Sequence, residues 1–360
     1  MNYKNQLDQL INAVAEQGAS DLHLAVGHRP TIRVSSQLIP LVNFPELQSA
    51  DVEGLLFELL SAENKKIFLE TKDLDFSYTT SSGKPEDKGA LRFRGNAFYQ
   101  LGNIGVALRL ITGKIRTINE LNLPSVLTDI TRRKQGFFLV VGPVGQGKST
   151  TLAAMVNLIN EERAEHIITV EDPVEYIYPT GKSIIDQREV RFDTRDFHTA
   201  LKSMFRQDVN VALIGEMRSP ETISTAVTAA ETGHLIFSTL HTNNAAQTID
   251  RIIDSFPGSQ QPQIKVQLAG SLIGVFSQRL LPRISGGLVP AYELLLNNSA
   301  VSNLIREGRT HEINIVLETS SEAGMIDMNH SIAALVRGGE ITAEDAFKYT
   351  LDPESLQRLL

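Results

Sequence analysis

The sequence contains no cysteine among its 360 residues. This absence excludes disulfide bonds, thiolate zinc sites and iron–sulfur clusters in one step. No apolar run approaches the ~20 residues that a membrane-spanning helix needs, since runs such as residues 137–141 are far shorter. The first ten residues are polar, so we expect no signal peptide. Any membrane association is therefore expected to come through partners.

The charge balance is acidic, with a formal net charge of -8 at pH 7. General nucleic-acid binders usually carry a basic footprint, so this balance argues against that class and leaves only a local basic groove open. A hydrophobic content of 42% with 21% charged residues is ordinary for a globular protein. The length suits two domains of roughly 100–200 residues each.

The first part of the chain combines helical and strand periodicity. An opening helix is predicted from the spacing of Leu7, Leu10, Ile11 and Val14. Alternation takes over at residues 20–24, and a second helix is predicted over residues 51–71. Residues 79–89 contain no large apolar side chain and are predicted to form a mobile loop between two strands. Together these elements predict an α+β domain.

Arginines recur on one side of two further predicted strands, residues 91–100 and 104–110. If the strands pair, Arg92, Arg94 and Arg109 share a polar sheet surface. The ordinary interpretation is a sheet face exposed to solvent. The residues alone also leave open that these arginines have a functional role. Residues 112–118 then resemble a short linker.

Apolar strands alternate with helical segments after residue 120, which is typical of a parallel sheet covered on both faces. The predicted strands are residues 137–141, 167–170, 211–214 and 235–240. Ser219, Pro220 and Glu221 predict a helix start, because they supply a cap, a first-turn proline and an acid. The last ~60 residues are predicted to be mainly helical.

Residues 142–149 fit G-x-x-x-x-G-K-[ST], between a predicted strand and a predicted helix. In such loops backbone N–H groups and the helix amino terminus bind phosphate oxygens. Lys148 is expected to reach the β- and γ-phosphates, and Ser149 to ligate Mg²⁺. The motif therefore predicts a site for ATP and Mg²⁺. Its residues are Gly142, Pro143, Val144, Gly145, Gln146, Gly147, Lys148, Ser149 and Thr150.

Two acids follow predicted strands, whose carboxyl ends face the phosphate site in such sheets. Glu216 lies just after strand 211–214, as in a Walker B element, and is expected to orient or deprotonate the attacking water. Glu171 follows strand 167–170 and has two candidate roles, holding Mg²⁺ through water or positioning the attacking water. A solvated acid remains the alternative for each.

His234 and His241 bracket the strand at residues 235–240. A zinc site is disfavoured, because no cysteine or third histidine lies near in sequence and the H-E-x-x-H pattern is absent. A γ-phosphate sensor or a subunit contact fits them better. Ordinary hydrogen-bonded histidines are the alternative.

These motifs, in this order, resemble the secretion-ATPase superfamily, and within it the PilT-like type IV pilus retraction ATPases. The matching stretches are residues 20–24, 92–98, 142–149, 170–173, 215–218, 233–234, 241–242 and 303–307. Val144 and Gln146 stand where the family usually has Thr and Ser, and Val301-Ser302 replaces the usual Ile-Arg. The resemblance covers nearly the whole chain.

The resemblance implies an α/β fold: a PAS-like α+β amino-terminal domain (residues 1–111), a linker (112–118) and a RecA-like P-loop ATPase domain (119–360). It also implies a homo-hexameric ring with ATP between the two domains. The implied catalytic residues are Glu216, Glu171, Arg92, Arg94, Arg109, His234 and His241. The arginines would approach the phosphates, for which their planar fork and permanent charge are suited.

The function implied is pilus retraction in twitching motility, by a cytoplasmic protein peripheral to the inner membrane. The implied partner is an inner-membrane pilus platform protein, with no nucleic acid. Three alternatives stay open: a pilus-assembly or type II secretion ATPase, a non-hydrolysing accessory ring subunit, and a RecA-like helicase. Relatives of the first kind usually carry a four-cysteine zinc module, which this sequence lacks.

Overall fold

The computed structural model describes residues 2–34, 37–80, 91–111, 115–320 and 324–360. The chain divides into an amino-terminal unit, Met1–Lys114 with Glu175–Pro179, and a carboxy-terminal unit, Ile115–Val174 with Thr180–Leu360. Most of the loop predicted at residues 79–89, and residues 112–114 of the predicted linker, lie outside the described residues.

The described part of the amino-terminal unit is an antiparallel sheet with three helices. Its elements are α1 (Tyr3–Glu16), β1 (Asp21–Ala25), β2 (Thr31–Val34), β3 (Gln37–Pro40), α2 (Ser49–Leu59), α3 (Ala62–Thr71), β4 (Asp73–Thr79), β5 (Arg92–Gln100) and β6 (Asn103–Ile111). The strand order is β3-β2-β1-β6-β5-β4.

Helix α1 buries the four residues that predicted it, Leu7, Leu10, Ile11 and Val14, so that prediction is confirmed. The single helix predicted over residues 51–71 is wrong, because α2 ends before Leu60, which is extended. Ser61 then accepts a hydrogen bond from the Asn64 N–H at 3.2 Å. Serine is favoured as an N-cap over a helix interior, so it starts a new helix here.

The carboxy-terminal unit is built on a mainly parallel sheet. Its elements are α4 (Val126–Thr131), β7 (Gly136–Val141), α5 (Lys148–Glu162), β8 (His166–Glu171), β9 (Ile184–Glu189), α6 (Phe197–Met204), β10 (Val211–Ile214), α7 (Pro220–Glu231), β11 (Leu235–Leu240), α8 (Ala245–Asp254), α9 (Gln261–Ser271), β12 (Leu272–Pro282), β13 (Leu288–Leu296), α10 (Ser299–Glu307), α11 (Ile313–Thr319), α12 (Met328–Arg337), α13 (Ala343–Tyr349) and α14 (Pro353–Leu359). The strand order is β13-β12-β7-β11-β10-β8-β9. Within this sheet, only β13 among the described strands runs antiparallel to its neighbour.

The four strands predicted in this unit are confirmed as β7, β8, β10 and β11. Strands β7, β10 and β11 are buried throughout, which explains the mainly apolar sequence of all three. Ser219 caps α7 as predicted, accepting from the Thr222 N–H at 3.3 Å. The mainly helical end of the chain is confirmed by α10 to α14. Strands β9, β12 and β13 were not predicted.

The direction of the parallel strands determines where the functional segments lie. Strands β7, β8, β10 and β11 all end at the same edge of the sheet, because they are mutually parallel. Glu171 is the last residue of β8, and the segments that follow the other three strands contain Gly142, Glu216 and His241. In open α/β sheets ligands bind outside this edge. None of the described helices is long and apolar enough to cross a bilayer.

Candidate active site

The loop between β7 and α5 needs glycine for two separate reasons. Gly142 has a φ of 141°, and a Cβ there would lie 2.4 Å from the carbonyl oxygen of Gln278 on β12. Gly147, the N-cap of α5, has a φ of 77°, in the left-handed region that side chains rarely adopt. These positions let the backbone turn tightly, so that the amino end of α5 opens onto the loop.

Lys148 is the first residue of α5 and lies within the curve of the loop. Its side-chain ammonium donates to the carbonyl oxygens of Gly142 at 2.7 Å and Pro143 at 2.8 Å. The residue is only 7% exposed. A buried ammonium needs such partners, and charged phosphate oxygens bind it more strongly than neutral carbonyls do. The loop therefore holds a cation where a phosphate group would bind.

His241, in the segment after β11, lies between Lys148 and Glu216. Its Nδ1 is 3.3 Å from Lys148 Nζ. An ammonium can only donate, so Nδ1 accepts and Nε2 carries the proton. Nε2 lies 3.8 Å from Glu216 Oε2. Burial lowers the pKa of His241, and Lys148 lowers it further, so the imidazole is held neutral between a cation and an anion.

Glu216 sits two residues beyond β10, with 19% of its side chain exposed. Its Oε1 pairs with Arg218 Nε at 2.8 Å. A cavity of about 310 Å³, whose walls include Arg218, His241 and Thr242, opens beside these partners of Glu216. The carboxylate is thus oriented from both sides and lies next to space large enough for water.

Glu171 ends β8 and is 8% exposed. A Cβ on Gly215 would lie 3.3 Å from the Cα of Glu171, so glycine at that position lets the end of β10 pass close to the acid. Its neighbour Asp172 pairs with Arg191 at 3.2 Å. The structure therefore brings Glu171 to the same edge of the sheet as Glu216.

His234 lies at the other end of β11. Its Nδ1 donates to the carbonyl oxygen of Ala229 at 3.0 Å, and its ring meets Phe205 edge-on at 5.6 Å. Strand β11 separates His234 from His241 by about 20 Å, at ~3.3 Å per residue. Within one chain the structure does not bring His234 to the phosphate-binding loop, and its contacts are those of an ordinary hydrogen-bonded histidine.

The arginine face of the amino-terminal unit forms as predicted, because Arg94 on β5 is directly opposite Arg109 on β6. Arg92 lies two residues earlier on the same face. Arg109 is neutralised within the unit, since its Nε binds Asp21 Oδ1 at 2.8 Å. Burial alone would raise the pKa of Asp21, but hydrogen bonds from Ser20 and Arg109 lower it overall. Arg94 is exposed.

Hairpin β12–β13 supplies contacts that no motif indicated. Gln278 accepts a hydrogen bond from the Thr151 hydroxyl at 2.6 Å, and the Leu280 N–H donates to Gln146 Oε1 at 2.6 Å. Gln146, a departure from the usual family sequence, therefore ties the loop to β12. The only sequence signal was a group of three polar residues, Ser277 to Arg279, inside an otherwise apolar run.

A cavity of about 330 Å³ opens next to the first turn of α5. Its walls include Gly147, Thr150 and Thr151 from the loop and helix, Leu280 and Leu288 from the hairpin, and residues 120–123. Small-molecule sites have volumes from ~300 Å³ upward. A nucleotide with phosphates on the loop thus has adjacent space for its base and sugar.

Comparison with known proteins agrees with this geometry. The profile of a family described as "Type II/IV secretion system protein" matches residues 105–343. A type IV pilus retraction ATPase, PilT, of Pseudomonas aeruginosa is 40% identical over 97% of this chain and 99% of its own. A twitching motility protein of Neisseria gonorrhoeae is 42% identical over 91% of this chain and 86% of its own.

A crystal structure described as the pilus retraction motor PilT with bound ADP superposes with a TM-score of 0.89. It is 42% identical and covers 97% of this chain and 98% of its own. This likeness confirms the predicted α/β fold with a sheet-rich amino-terminal part.

Proposed function

The chain belongs to the type II/IV secretion system protein family, and we propose that it is an ATP-hydrolysing motor that powers type IV pilus retraction. Near full-length similarity to a retraction ATPase and to a twitching motility protein supports this assignment. One observation carries the ATPase part: Lys148, His241 and Glu216 converge beside the phosphate-binding loop. These side chains can bind a γ-phosphate and act on a water molecule next to it.

In this proposal ATP binds with its phosphates on residues 142–150 and its base in the neighbouring cavity. Ser149, in the first turn of α5, would ligate Mg²⁺ through its hydroxyl. No group of three or more His, Asp or Glu side chains among the described residues could hold a metal ion alone. This fits Mg²⁺, which in such enzymes is bound largely by substrate phosphates and water. The ion would neutralise charge on the phosphates.

Different side chains of the chain then have different roles in hydrolysis. Lys148 exchanges its carbonyl partners for phosphate oxygens and holds the β- and γ-phosphates. Glu216 orients the attacking water and accepts its proton, with Arg218 fixing the carboxylate. Neutral His241 accepts from Lys148 at Nδ1 and can donate to Glu216 from Nε2. A movement of Lys148 on phosphate binding would therefore reach Glu216 through this imidazole. Glu171, at the end of β8, would position the attacking water or hold Mg²⁺ through water.

We further propose that Arg92 and Arg94 stabilise charge on the transferring phosphoryl group. Their place on a polar face supports this role, because neither is needed for the core beneath β5. Arg109 is a weaker candidate, since Asp21 already binds it. His234 would act only as a contact with another subunit.

The proposed setting is a ring of six copies at the cytoplasmic face of the inner membrane, engaged with a pilus platform protein. Helix α10 is the proposed coupling element. Ile305 is fully buried and Leu304 packs on the core, while Arg306 and Glu307 are exposed. The exposed pair is thus available to a partner.

An ATPase assay on purified protein, combined with a measurement of its mass, tests this proposal. Mg²⁺-dependent hydrolysis by a particle of six chains is expected. A protein that binds ATP without turnover would instead be an accessory ring subunit.

A further inference from the structure

The segment that carries His241 is held by groups outside every recognised motif. This segment, residues 241–244, joins β11 to α8. The Ser277 hydroxyl donates to the carbonyl oxygen of Asn243 at 2.8 Å. The N–H of Ala245, the first residue of α8, donates to Glu293 Oε1 at 2.7 Å. The carboxyl end of the segment is therefore fixed at two successive points.

Both anchors belong to one surface of the hairpin. Ser277 on β12 and Glu293 on β13 are direct partners in the strand register, so their side chains lie side by side. Ser277 is fully buried, and Glu293 is 6% exposed. The same hairpin binds Thr151 in the first turn of α5 through Gln278, and Gln146 in the phosphate loop through Leu280. One rigid element thus sets the position of the His241 segment relative to the loop that contains Lys148.

Burying a carboxyl group such as Glu293 costs more free energy than burying a neutral acceptor, and the Ala245 N–H could be satisfied by either. Burial raises the pKa of Glu293 to about 7, and the negative charge of Asp327 also raises it. The hydrogen bond from the Ala245 N–H and the positive charge of Arg279 act in the opposite direction. Asp327 lies at the start of α12, where it binds His330. The Glu293 oxygen lies at the amino end of α8, where the first N–H groups of a helix have no partner within the helix. It accepts from one of them whether the carboxyl group is charged or neutral.

We propose that Glu293, with Ser277, is a positioning residue for ATP hydrolysis, which holds His241 between Lys148 and Glu216. This inference rests on the proposed function. Neither residue touches the nucleotide in the proposal. Both act through the 241–244 segment, whose displacement would move the imidazole out of reach of its two partners. Their loss should therefore affect turnover much more than nucleotide affinity.

The test compares four variants of the full-length protein. Glu293→Ala and Ser277→Ala each remove one anchor, and Glu293→Gln keeps an amide oxygen that can accept from Ala245. Ser331→Ala is the matched control, because its hydroxyl accepts from Tyr292 N–H at 3.0 Å on the same strand but does not contact the segment. The readouts are kcat, KM for ATP, and the Kd of a fluorescent ADP analogue, with mass and circular dichroism to verify assembly and folding.

We expect kcat to fall ~10-fold or more in Glu293→Ala and several-fold in Ser277→Ala, the scale of one well-placed hydrogen bond. The Kd should change by less than ~3-fold, because the phosphate loop is intact. Glu293→Gln and Ser331→Ala should keep kcat within ~3-fold of the wild type. If Glu293→Ala fails to fold, Ser277→Ala carries the test.

Unchanged kcat in the anchor variants would overturn the inference. An equal loss of kcat in Ser331→Ala would also overturn it, because that would indicate general weakening of the strand. An equal loss of kcat in Glu293→Gln would overturn it as well. A wild type without ATPase activity would instead overturn the proposed function, so the two failures are distinguishable.

Discussion

The free energy of unfolding should depend on pH through Glu293 in a direction that the structure fixes. Burial raises the pKa of this carboxyl group from 4.5 to about 7. Between these values the folded protein binds a proton that the unfolded chain has released, so the free energy of unfolding falls as pH rises. Stability from this group is fully present below pH 4.5 and is lost once the pH passes 7.

The magnitude follows from the size of the shift, which is about 2.5 pKa units. At 1.36 kcal/mol per unit, the difference between pH 4.5 and pH 8 is about 3 kcal/mol. Glu293→Gln cannot ionise, so it should lack this contribution. The measured quantity is the difference between variant and wild type, because other groups titrate equally in both.

Urea unfolding followed by circular dichroism at pH 5, 6, 7 and 8 measures this difference. Relative to the wild type, Glu293→Gln should gain stability as pH rises. Glu344→Gln is the control, because it also removes one carboxylate, but an exposed one paired with Lys348. A constant difference between Glu293→Gln and wild type across this range would refute the reasoning.

Other predictions concern the nucleotide site and its output. Lys148→Ala should weaken ATP binding ~10–100-fold in a fluorescence titration, because a charged hydrogen-bond partner is lost. Glu216→Gln should bind ATP normally but turn it over ~10²–10⁴-fold more slowly, and a normal rate would remove its catalytic role. Arg94→Ala should keep its fold but lose turnover, since arginines that reach transferring phosphates contribute ~10³–10⁵ elsewhere; Lys66→Ala is the surface control. Substituting Arg306 and Glu307 together should spare basal ATPase activity and abolish motility on agar.

The sequence predicted those parts of the site that depend on local pattern. Strand β10 and Glu216, or β7 and the glycine loop, lie within a few residues of each other, so one motif contains both. The position of β11 between His234 and His241 also determines which of these two histidines can reach the phosphate loop. His234 and His241 are seven residues apart across this strand, a separation of about 20 Å, so only His241 can share the edge with Lys148.

Contacts distant in sequence could not be predicted in this way. Thr151 and Gln278 are separated by 127 positions, and Ala245 and Glu293 by 48. Nothing in the local sequence of β12 or β13 indicates which polar side chain faces the loop, because that depends on strand order and register. The break between α2 and α3 was missed for a different reason, since no proline or glycine lies near Ser61 to indicate it.

The retraction claim is tested most directly by imaging labelled pili on living cells that carry either the wild-type gene or Glu216→Gln at the same locus. Wild-type cells are expected to extend and withdraw their pili, while variant cells accumulate pili that extend but do not withdraw. Normal withdrawal in the variant, or the loss of all pili, would contradict it.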